Sequence, residues 1–435
     1  MATVAVAQPA VGNGEKDAKR RRCEEVDGVR PSFMERFFAK YEFTCKYMVS
    51  CSDCEAWTTR EVLAAADAEC QKMWDSSTLG YTESLGHPTL LEQIRKHYAY
   101  RLEKEPALVP LQITTCVPVE GIFAAMTSLL SEGDQIVTMM PAYQALYEIA
   151  RSKRCRLLSW APYFDQQGFW EFRLSDLQTL LDQNVSFEAP LRMLVINSPH
   201  NPTGAAFDQS QLDAVSEMLM KLPQAEPAVL FSDEMYGDML GPHAPSMVGK
   251  RNAMVLSGLS KPWGMPGLRM GWLVCSDKKH FDSITSLRDY TTLCLPPHSE
   301  ILSIIALRNP DSFLSRNRDI AAKNYQVLQS VLQSLPQWFY PLNQHRHNDR
   351  LTNWRATVVF ARLKFPLGGV ADSASPRLKS AAALAEYLAQ EHSICMVVSD
   401  FFEFESFPCV RFGIGREGFT EALQKLKTAL ESIAK

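Results

Sequence analysis

The sequence predicts an α/β fold with a mostly parallel sheet and flanking helices, followed by a smaller α+β domain. Strand and helix patterns alternate between about residues 111 and 275, which is typical of parallel sheets joined by crossover helices. Two apolar runs in this region, 191–196 and 228–231, end at turn residues, as strands that are buried on both faces do. After Leu295-Pro-Pro297 the alternation gives way to long helical patterns.

The N-terminal part predicts a tail and a connecting segment. Residues 1–30 are small, polar and charged, so we expect a disordered tail. Its basic run at 19–22 is typical either of a solvated tail or of a nuclear-localisation patch. We expect residues 31–60 to pack with the small domain, and the apolar spacing at 33–41 predicts a helix there.

The large domain is predicted over 61–310. A helix start is indicated just before it, because Glu61 follows Thr58 by three residues. The predicted strands are 111–115, 135–139, 154–160, 191–196, 228–231, 254–257 and 270–275, and the predicted helices are 90–100, 122–130, 143–151, 210–222 and 300–307.

The small C-terminal domain is predicted over 311–435. A long helical pattern covers 313–335, and a polar loop rich in His and Arg follows at 343–353. The predicted strands are 357–363, 394–398 and 409–412, with helices at 381–390 and from 417 onward.

Composition indicates a cytoplasmic enzyme. Of the 435 residues, 46% are hydrophobic and 22% are charged, and the net charge is -4, which disfavours nucleic acid and anionic membranes as partners. No apolar run is long enough to span a membrane. The eleven cysteines follow no secretory signal, so we expect reduced thiols. The CxxC spacing at Cys51 and Cys54 lacks a second ligand pair, and no metal site is predicted.

Lys261 lies in a segment rich in Gly and Pro between two predicted strands. Residues 257–272 read SGLSKPWGMPGLRMGW, with Arg269 eight residues after the lysine. A lysine amine becomes nucleophilic when it is desolvated or lies near another cation, which suits a Schiff base with an aldehyde cofactor. On its own, the segment is more typical of a solvated surface lysine, and the prediction depends on the other motifs.

Four further polar side chains follow or occupy predicted strands. Asn201, in the sequence Asn-Pro-Thr-Gly, is either part of a tight turn or an amide at the ligand-binding end of a strand. Asp233 is either a helix N-cap or a carboxylate that keeps a pyridine nitrogen protonated, and Tyr236 has a hydroxyl suited to a ring oxygen. Arg411, in an apolar strand, is either a paired buried cation or a fork for a substrate carboxylate.

In chain order, these motifs resemble the signature of a known enzyme family. The segments 201–204, 233–236, 260–271 and the strand around Arg411 are similar to those of the fold-type I, class I/II aminotransferases, which use pyridoxal 5′-phosphate (PLP). The resemblance covers roughly residues 31–435. It implies a PLP-dependent transferase that acts on an α-amino acid, with a keto acid as co-substrate, and it implies a homodimer.

The resemblance also implies roles for the residues around the cofactor ring. Lys261 would form the Schiff base and afterwards shuttle the proton. Asp233 would pair with the pyridinium nitrogen, and Asn201 and Tyr236 would bind the phenolic oxygen of the ring.

The remaining roles concern the phosphate, the ring face and the substrate. Arg269 would bind the phosphate, and Ser260, beside the lysine, is assigned to the cofactor as well. Tyr143 matches the aromatic residue that stacks on the ring, although a core tyrosine is the alternative. Arg411 would bind the substrate α-carboxylate, and Tyr81 matches a tyrosine that reaches the phosphate of the partner subunit.

Two positions depart from the common pattern of the family. The phosphate-binding turn is usually small and rich in Gly and Ser, whereas residues 115–121 read TCVPVEG here. A carboxylate at Glu120 is unfavourable beside an anion unless it points away. The position three before the lysine is often a phosphate-binding serine, and here it is Gly258.

Three functions remain open at the level of sequence. The segments 41–43, 52–55, 80–84, 118–123 and 289–292 resemble a branch similar to capreomycidine synthase, which cyclises a hydroxylated arginine. An eliminating or cyclising enzyme for an arginine-like amino acid is therefore the alternative to an aminotransferase. A non-catalytic PLP-fold regulatory module is the third hypothesis, and the presence of Lys261 argues against it. The substrate itself is not predicted, although the segments 51–57 and 345–350 are candidates for lining the site.

Overall fold

The computed structural model of the protein describes residues 28–104, 110–164, 170–342, 356–364 and 380–433. Residues 1–27 of the expected N-terminal tail, with the basic run, lie outside the described residues, as does the polar loop expected at 343–353. The strands are β1 (Tyr47–Met48), β2 (Gln112–Cys116), β3 (Gln135–Met139), β4 (Arg156–Trp160), β5 (Tyr163–Phe164), β6 (Trp170–Glu171), β7 (Leu191–Asn197), β8 (Val229–Asp233), β9 (Ala253–Gly258), β10 (Gly271–Cys275), β11 (Val358–Arg362), β12 (Ile394–Cys395), β13 (Val397–Val398) and β14 (Cys409–Gly413).

The helices flank these strands on both sides. They are α1 (Phe33–Tyr41), α2 (Thr59–Ala64), α3 (Ala68–Asp75), α4 (Pro88–His97), α5 (Ala99–Lys104), α6 (Pro118–Leu129), α7 (Ala145–Ser152), α8 (Leu174–Asn184), α9 (Gln209–Met220), α10 (Lys278–Arg288), α11 (Pro297–Arg308), α12 (Pro310–Gln333), α13 (Ala381–His392) and α14 (Phe419–Ile433). Among the described residues, no helix is both long and apolar enough to cross a membrane.

A seven-stranded sheet lies at the centre of the fold, in the spatial order β2-β10-β9-β8-β7-β3-β4. The strands from β9 to β4 in this order are parallel, and β10 runs antiparallel to both of its neighbours. Successive residues of a strand point to opposite faces, so Val255 enters one core and Met254 and Leu256 enter another. Helices cover both faces, and the predicted α/β class is confirmed.

A second group of strands is built from both ends of the chain. Strands β11, β14 and β13 form an antiparallel sheet, and β1 pairs in parallel with β12. The core beside them joins Phe37 and Val49 from the N-terminal segment to Phe412 and Leu423 from the C-terminal part. The smaller α+β unit of the prediction is therefore present, and the domain boundaries at 60 and 310 stay a prediction.

The predicted elements within the described residues are confirmed, with ends that differ by a few residues. Helix α6 begins four residues earlier than predicted because Pro118 opens its first turn. The single strand predicted at 394–398 is two strands, because β12 and β13 join different sheets. The single helix predicted at 90–100 is divided between α4 and α5, because α4 ends at its C-cap Tyr98. Helices α3, α8 and α10 and the short strands β1, β5 and β6 were not predicted from the sequence. Helix α10 buries only Phe281, Ile284 and Arg288, which leaves little hydrophobic periodicity to detect.

Candidate active site

Asn201, Asp233 and Lys261 lie at one edge of the central sheet, and Asn201 follows four residues after β7 ends. Asp233 is the last residue of β8, paired with Asn197 at the end of β7 and with Leu256 of β9. Lys261 follows three residues after β9 ends. Ligands of open α/β sheets bind at the carboxyl ends of the strands, so this edge is the expected position for a site.

Asp233 is a buried carboxylate with few partners. Its Oδ1 accepts a hydrogen bond from Met235 N at 3.0 Å. Burial raises its pKa from 3.8 to about 6, although this N–H and the positive charge of Lys261 act in the opposite direction. A nearby cation would stabilise the ionised carboxylate further.

The Lys261 amine contacts Ser52, which belongs to the segment 51–57 that the sequence named as a candidate for lining the site. Its Nζ donates to Ser52 Oγ at 2.9 Å, and Ser52 belongs to the N-terminal segment, 209 residues away along the chain. Next to the lysine, Ser260 is buried, and its Oγ has no hydrogen-bond partner in the described part of the chain. An unsatisfied buried hydroxyl is costly unless a ligand completes its bonding.

Arg411 is buried in β14 and joins the small sheet to this edge. Its Nη1 donates to Asn201 Oδ1 at 3.1 Å, and its Nη2 donates to Ser50 O at 2.8 Å. Its Nε is buried and has no partner within the described ranges. Burial lowers the pKa of Arg411 from 12.5. Both acceptors are uncharged, so the cation has no carboxylate among its hydrogen-bond partners within the residues described.

Two tyrosines lie close to these groups. Tyr236 follows β8 and is buried, and Tyr143 donates from its hydroxyl to Glu35 Oε1 at 3.4 Å. Burial, followed by the carboxylate of Glu35, raises the pKa of Tyr143, and Tyr236 and Asp233 add to this shift. Tyr143 packs against two of the hydrophobic cores, so its role at the ring face stays a prediction.

Glycines explain the missing serine at position 258. Gly258 pairs with Gly271 of β10, and a Cβ at position 258 would lie 2.7 Å from Met270 O. A Cβ on Gly271 would in turn lie 2.9 Å from Pro118 Cγ. The two glycines let the start of α6 approach the sheet edge closely, and a serine would not fit.

Glu120, in the first turn of α6, is bound by the turn that follows α10. Its Oε1 accepts from the hydroxyls of Thr291 and Thr292 and from Thr292 N at 3.2 Å, and its Oε2 accepts from Val117 N at 3.3 Å. Arg288 Nε lies 3.9 Å from Oε1. Burial acts to raise the pKa of Glu120, but these hydrogen bonds and Arg288 outweigh it and lower the pKa. The carboxylate is thus committed to protein partners.

Arg269 and Tyr81 are exposed. Arg269 has a left-handed backbone, with φ of 54°, and its Nη1 donates to Pro266 O at 2.9 Å. Tyr81 is 89% exposed. Neither side chain forms a hydrogen bond with the other predicted site residues in the part of the chain that the structure describes.

The loop that carries Tyr81 is fixed by a buried glutamate. Glu300 accepts from Thr82 Oγ1 at 3.1 Å, from His87 N at 3.2 Å and from Thr115 Oγ1 at 3.3 Å. Burial raises the pKa of Glu300 to about 7. These contacts hold the loop against the end of β2.

The side chains fit PLP by their own chemistry. The buried Asp233 suits a protonated ring nitrogen, because an opposite charge favours its ionised form. The unpartnered hydroxyl of Ser260 suits an oxygen-rich group, and the unpartnered Nε of Arg411 suits a carboxylate. These side chains therefore suit PLP at this edge of the sheet.

Comparison with known proteins gives the family. Residues 53–426 match the family model for aminotransferase class I and II, and the chain belongs to this family. Capreomycidine synthase of Streptomyces vinaceus is 28% identical over 319 residues, which cover 72% of each chain.

Solved structures agree in fold. A PLP-dependent aminotransferase from Streptococcus suis superposes with a TM-score of 0.76 at 22% identity, covering 94% of this chain and 99% of that one. The PLP-dependent cyclase OrfR gives a TM-score of 0.73 at 20% identity, covering 92% and 97%.

Proposed function

We propose that this protein transfers the amino group of an α-amino acid to a keto acid, with PLP held at Lys261. PLP supplies an aldehyde that binds primary amines and a protonated ring that takes up the electrons left when a Cα–H bond breaks. Lys261 binds the aldehyde and, once free, accepts the Cα proton. Asp233 keeps the ring nitrogen protonated through its charge.

Asn201 and Tyr236 are proposed to donate to the ring oxygen. The contact between Asn201 Oδ1 and Arg411 supports this role, because it leaves the Asn201 amide nitrogen as the free donor. Tyr143 is proposed to cover one face of the ring. Its electrostatic coupling to Tyr236 and Asp233 supports that position.

The main observation that supports the proposal is that Arg411 is buried and donates to two uncharged acceptors. A buried guanidinium without a carboxylate partner is costly, and the cost is offset if a substrate α-carboxylate completes the pair. Arg411 donates to Asn201, which lies at the same sheet edge as Lys261. This supports a site in which Arg411 binds the carboxylate of a substrate and the amine of the same substrate reaches the cofactor at Lys261.

Phosphate binding is proposed for Ser260, Arg269 and the N–H groups at the start of α6. The unpartnered Ser260 hydroxyl and the exposed Arg269 guanidinium support this assignment. A helix N-terminus favours an anion. The Glu120 carboxylate accepts hydrogen bonds from Thr291 and Thr292, so it does not compete with the phosphate for the N–H groups at the start of α6.

We also propose a homodimer, formed at an exposed surface around Tyr81. Leu79, Tyr81 and Tyr290 are 92%, 89% and 89% exposed, and large exposed apolar side chains in one area mark interaction sites. A hydrogen bond from Arg288 Nη1 to Ser84 O at 3.2 Å brings the two segments together. A second copy would cover them and receive Tyr81 at its phosphate site.

We further propose that the protein acts in the cytoplasm. Its proposed role there is in amino-acid metabolism, as part of a biosynthetic process. The ten cysteines that the structure describes are unbridged, which supports a reducing compartment.

An absorbance titration tests the function. Protein loaded with PLP is mixed with single amino acids, including arginine derivatives, without a keto acid. Transfer predicts stoichiometric conversion of the aldehyde form of the cofactor to the amine form, and a keto acid then reverses it. A panel in which no amino acid and keto acid pair gives this exchange contradicts the aminotransferase proposal.

An eliminating or cyclising enzyme is the second candidate. The similarity to capreomycidine synthase, over 72% of both chains, favours it. The same titration separates the two, because elimination or cyclisation consumes the amino acid without producing the amine form of the cofactor.

A further inference from the structure

The segment 49–57, named here the strap, runs across the candidate active site. On one side it is fixed to β14. Gly413 N donates to Val49 O at 2.9 Å, and Arg411 Nη2 donates to Ser50 O at 2.8 Å. A Cβ at position 413 would collide with the strap, so the glycine permits this contact.

The other side of the strap is fixed to the loop that carries Lys261. Cys54 N donates to Lys261 O at 3.1 Å, and Trp57 N donates to Gly264 O at 3.2 Å. Ser52 lies between the two sets of contacts, so its position relative to the lysine is set from both directions.

The Ser52 side chain meets the reactive atom of the lysine. Lys261 Nζ donates to Ser52 Oγ at 2.9 Å, and within the described residues this is the hydrogen-bond acceptor that the amine contacts. The carbonyl of Ser52 accepts from the buried Thr357 hydroxyl, which fixes the serine backbone. The backbone of Ser52 is therefore fixed at a position from which its hydroxyl reaches Lys261 Nζ.

We propose that Ser52 is a catalytic residue that holds the free amine of Lys261. The inference rests on the proposed role of Lys261. When the amine takes the Cα proton of the substrate, the Cα–H bond breaks and one N–H bond forms. Ser52 Oγ then accepts a hydrogen bond from one N–H of the resulting ammonium. Serine keeps its own proton throughout, so it orients and stabilises the ammonium without being a proton carrier.

The first test uses the cofactor-free protein and does not depend on activity. Ser52→Thr keeps a hydroxyl, whereas Ser52→Val has nearly the same shape without one. A brief pulse of acetic anhydride at fixed pH labels neutral amines, and mass spectrometry reports the labelling of Lys261 relative to Lys278. We expect Ser52→Val to label about tenfold faster than Ser52→Thr, because a hydrogen bond to a charged group is lost.

The second test uses the PLP-loaded protein. We expect Ser52→Val to lower the rate of the amino-acid half-reaction about tenfold, with KM changed less than about twofold, and Ser52→Thr to stay near wild type. Ser334→Ala, which removes a hydroxyl that donates to Val331 O at the end of α12, serves as a control. If Ser52→Val does not fold, Ser52→Ala against wild type gives the same comparison.

Equal labelling and equal half-reaction rates for Ser52→Thr and Ser52→Val would overturn the proposal and leave Ser52 a structural part of the strap. A wild-type protein that forms no adduct with PLP at Lys261 would instead contradict the proposed function. The labelling comparison in the cofactor-free protein would still decide the contact between Ser52 and Lys261.

Discussion

At the scale of single residues, the buried carboxylate of Asp233 makes the stability of the cofactor-free protein depend on pH. Its carboxylate is buried at the end of β8, and its pKa rises from 3.8 to about 6. Because the folded value lies above the unfolded one, folding favours the protonated form. The cost of burying the charge is absent below about pH 4, grows as the pH rises towards about 6, and is constant above that.

We expect Asp233→Asn to gain stability relative to wild type as the pH rises from about 4 to about 7, in the cofactor-free protein. The rise in the pKa of Asp233 from 3.8 to about 6 corresponds to a gain in the free energy of unfolding of at most about 3 kcal/mol. Denaturant unfolding at a series of pH values measures the difference. Asp282→Asn, at an exposed site of α10, is the control, and a difference that does not change with pH would contradict the argument.

Arg411→Lys tests the substrate carboxylate site. Lysine keeps the charge but loses the planar fork that binds a carboxylate with two parallel bonds. We expect kcat/KM to fall about 100-fold, mainly through KM, in steady-state assays. Arg362→Lys, on the neighbouring strand β11, is the matched control. An unchanged KM in Arg411→Lys would show that the substrate carboxylate binds elsewhere.

The grouping of several candidate residues at one sheet edge was predictable because they lie near the ends of buried strands. Asp233 ends β8, and Asn201 and Lys261 follow β7 and β9 by four and three residues, and parallel strands bring their carboxyl ends to one edge. The sequence named the segment 51–57 as a candidate for lining the site. It did not predict the contact of Ser52 with Lys261, because the two residues are 209 positions apart and the segment has no periodic signal. This contact depends on the packing of the strap.

At the scale of elements, the strap depends on glycines in its neighbours. A Cβ on Gly413 would lie 1.6 Å from Cys51 O, and a Cβ on Gly415 would lie 2.6 Å from Asp53 O. These backbone contacts leave no room for a side chain.

We expect Gly413→Ala to lower the free energy of unfolding by about 3 kcal/mol or more, because β14 and the strap must separate. Thermal or denaturant unfolding measures the effect. Gly418→Ala is the control, since nothing lies within 4 Å of its Cβ position. Similar stability of the two variants would mean that the strap does not pack against β14.

The elements with strong periodicity were predictable, and those stabilised by local hydrogen bonds were less so. The helix start at Thr58 was visible because Thr58 and Glu61 form a capping box. Helices α3 and α10 have few buried residues, so their sequences carry little hydrophobic signal. The division of 394–398 between two sheets depends on pairing with distant strands, which periodicity does not encode.

At the scale of the whole molecule, the proposed homodimer predicts a site that two subunits share through Tyr81. The Lys261→Ala variant still has Tyr81, and the Tyr81→Ala variant still has Lys261. If Tyr81 binds the phosphate in the site of the partner subunit, a mixed dimer of the two variants has one site with both residues intact. Refolding the two variants together produces such mixed dimers. We expect each variant to be weakly active alone and the mixture to recover activity, as measured by steady-state assay.

The mixing experiment has its own controls. Light scattering shows whether the wild type is a dimer, and Tyr340→Ala removes an exposed tyrosine outside this surface. No recovery in a mixture shown to contain mixed dimers would mean that Tyr81 acts within its own subunit or not at the site.

Borohydride reduction tests the central claim, that Lys261 holds PLP, most directly. The PLP-loaded protein is reduced and digested, and the modified peptide is located by mass spectrometry. We expect a phosphopyridoxyl group on Lys261 of the wild type and none in Lys261→Ala. We expect Lys278→Ala, which changes an exposed lysine of α10, to keep the group on Lys261. An adduct on another lysine of the wild type, or one that persists in Lys261→Ala, would contradict the account.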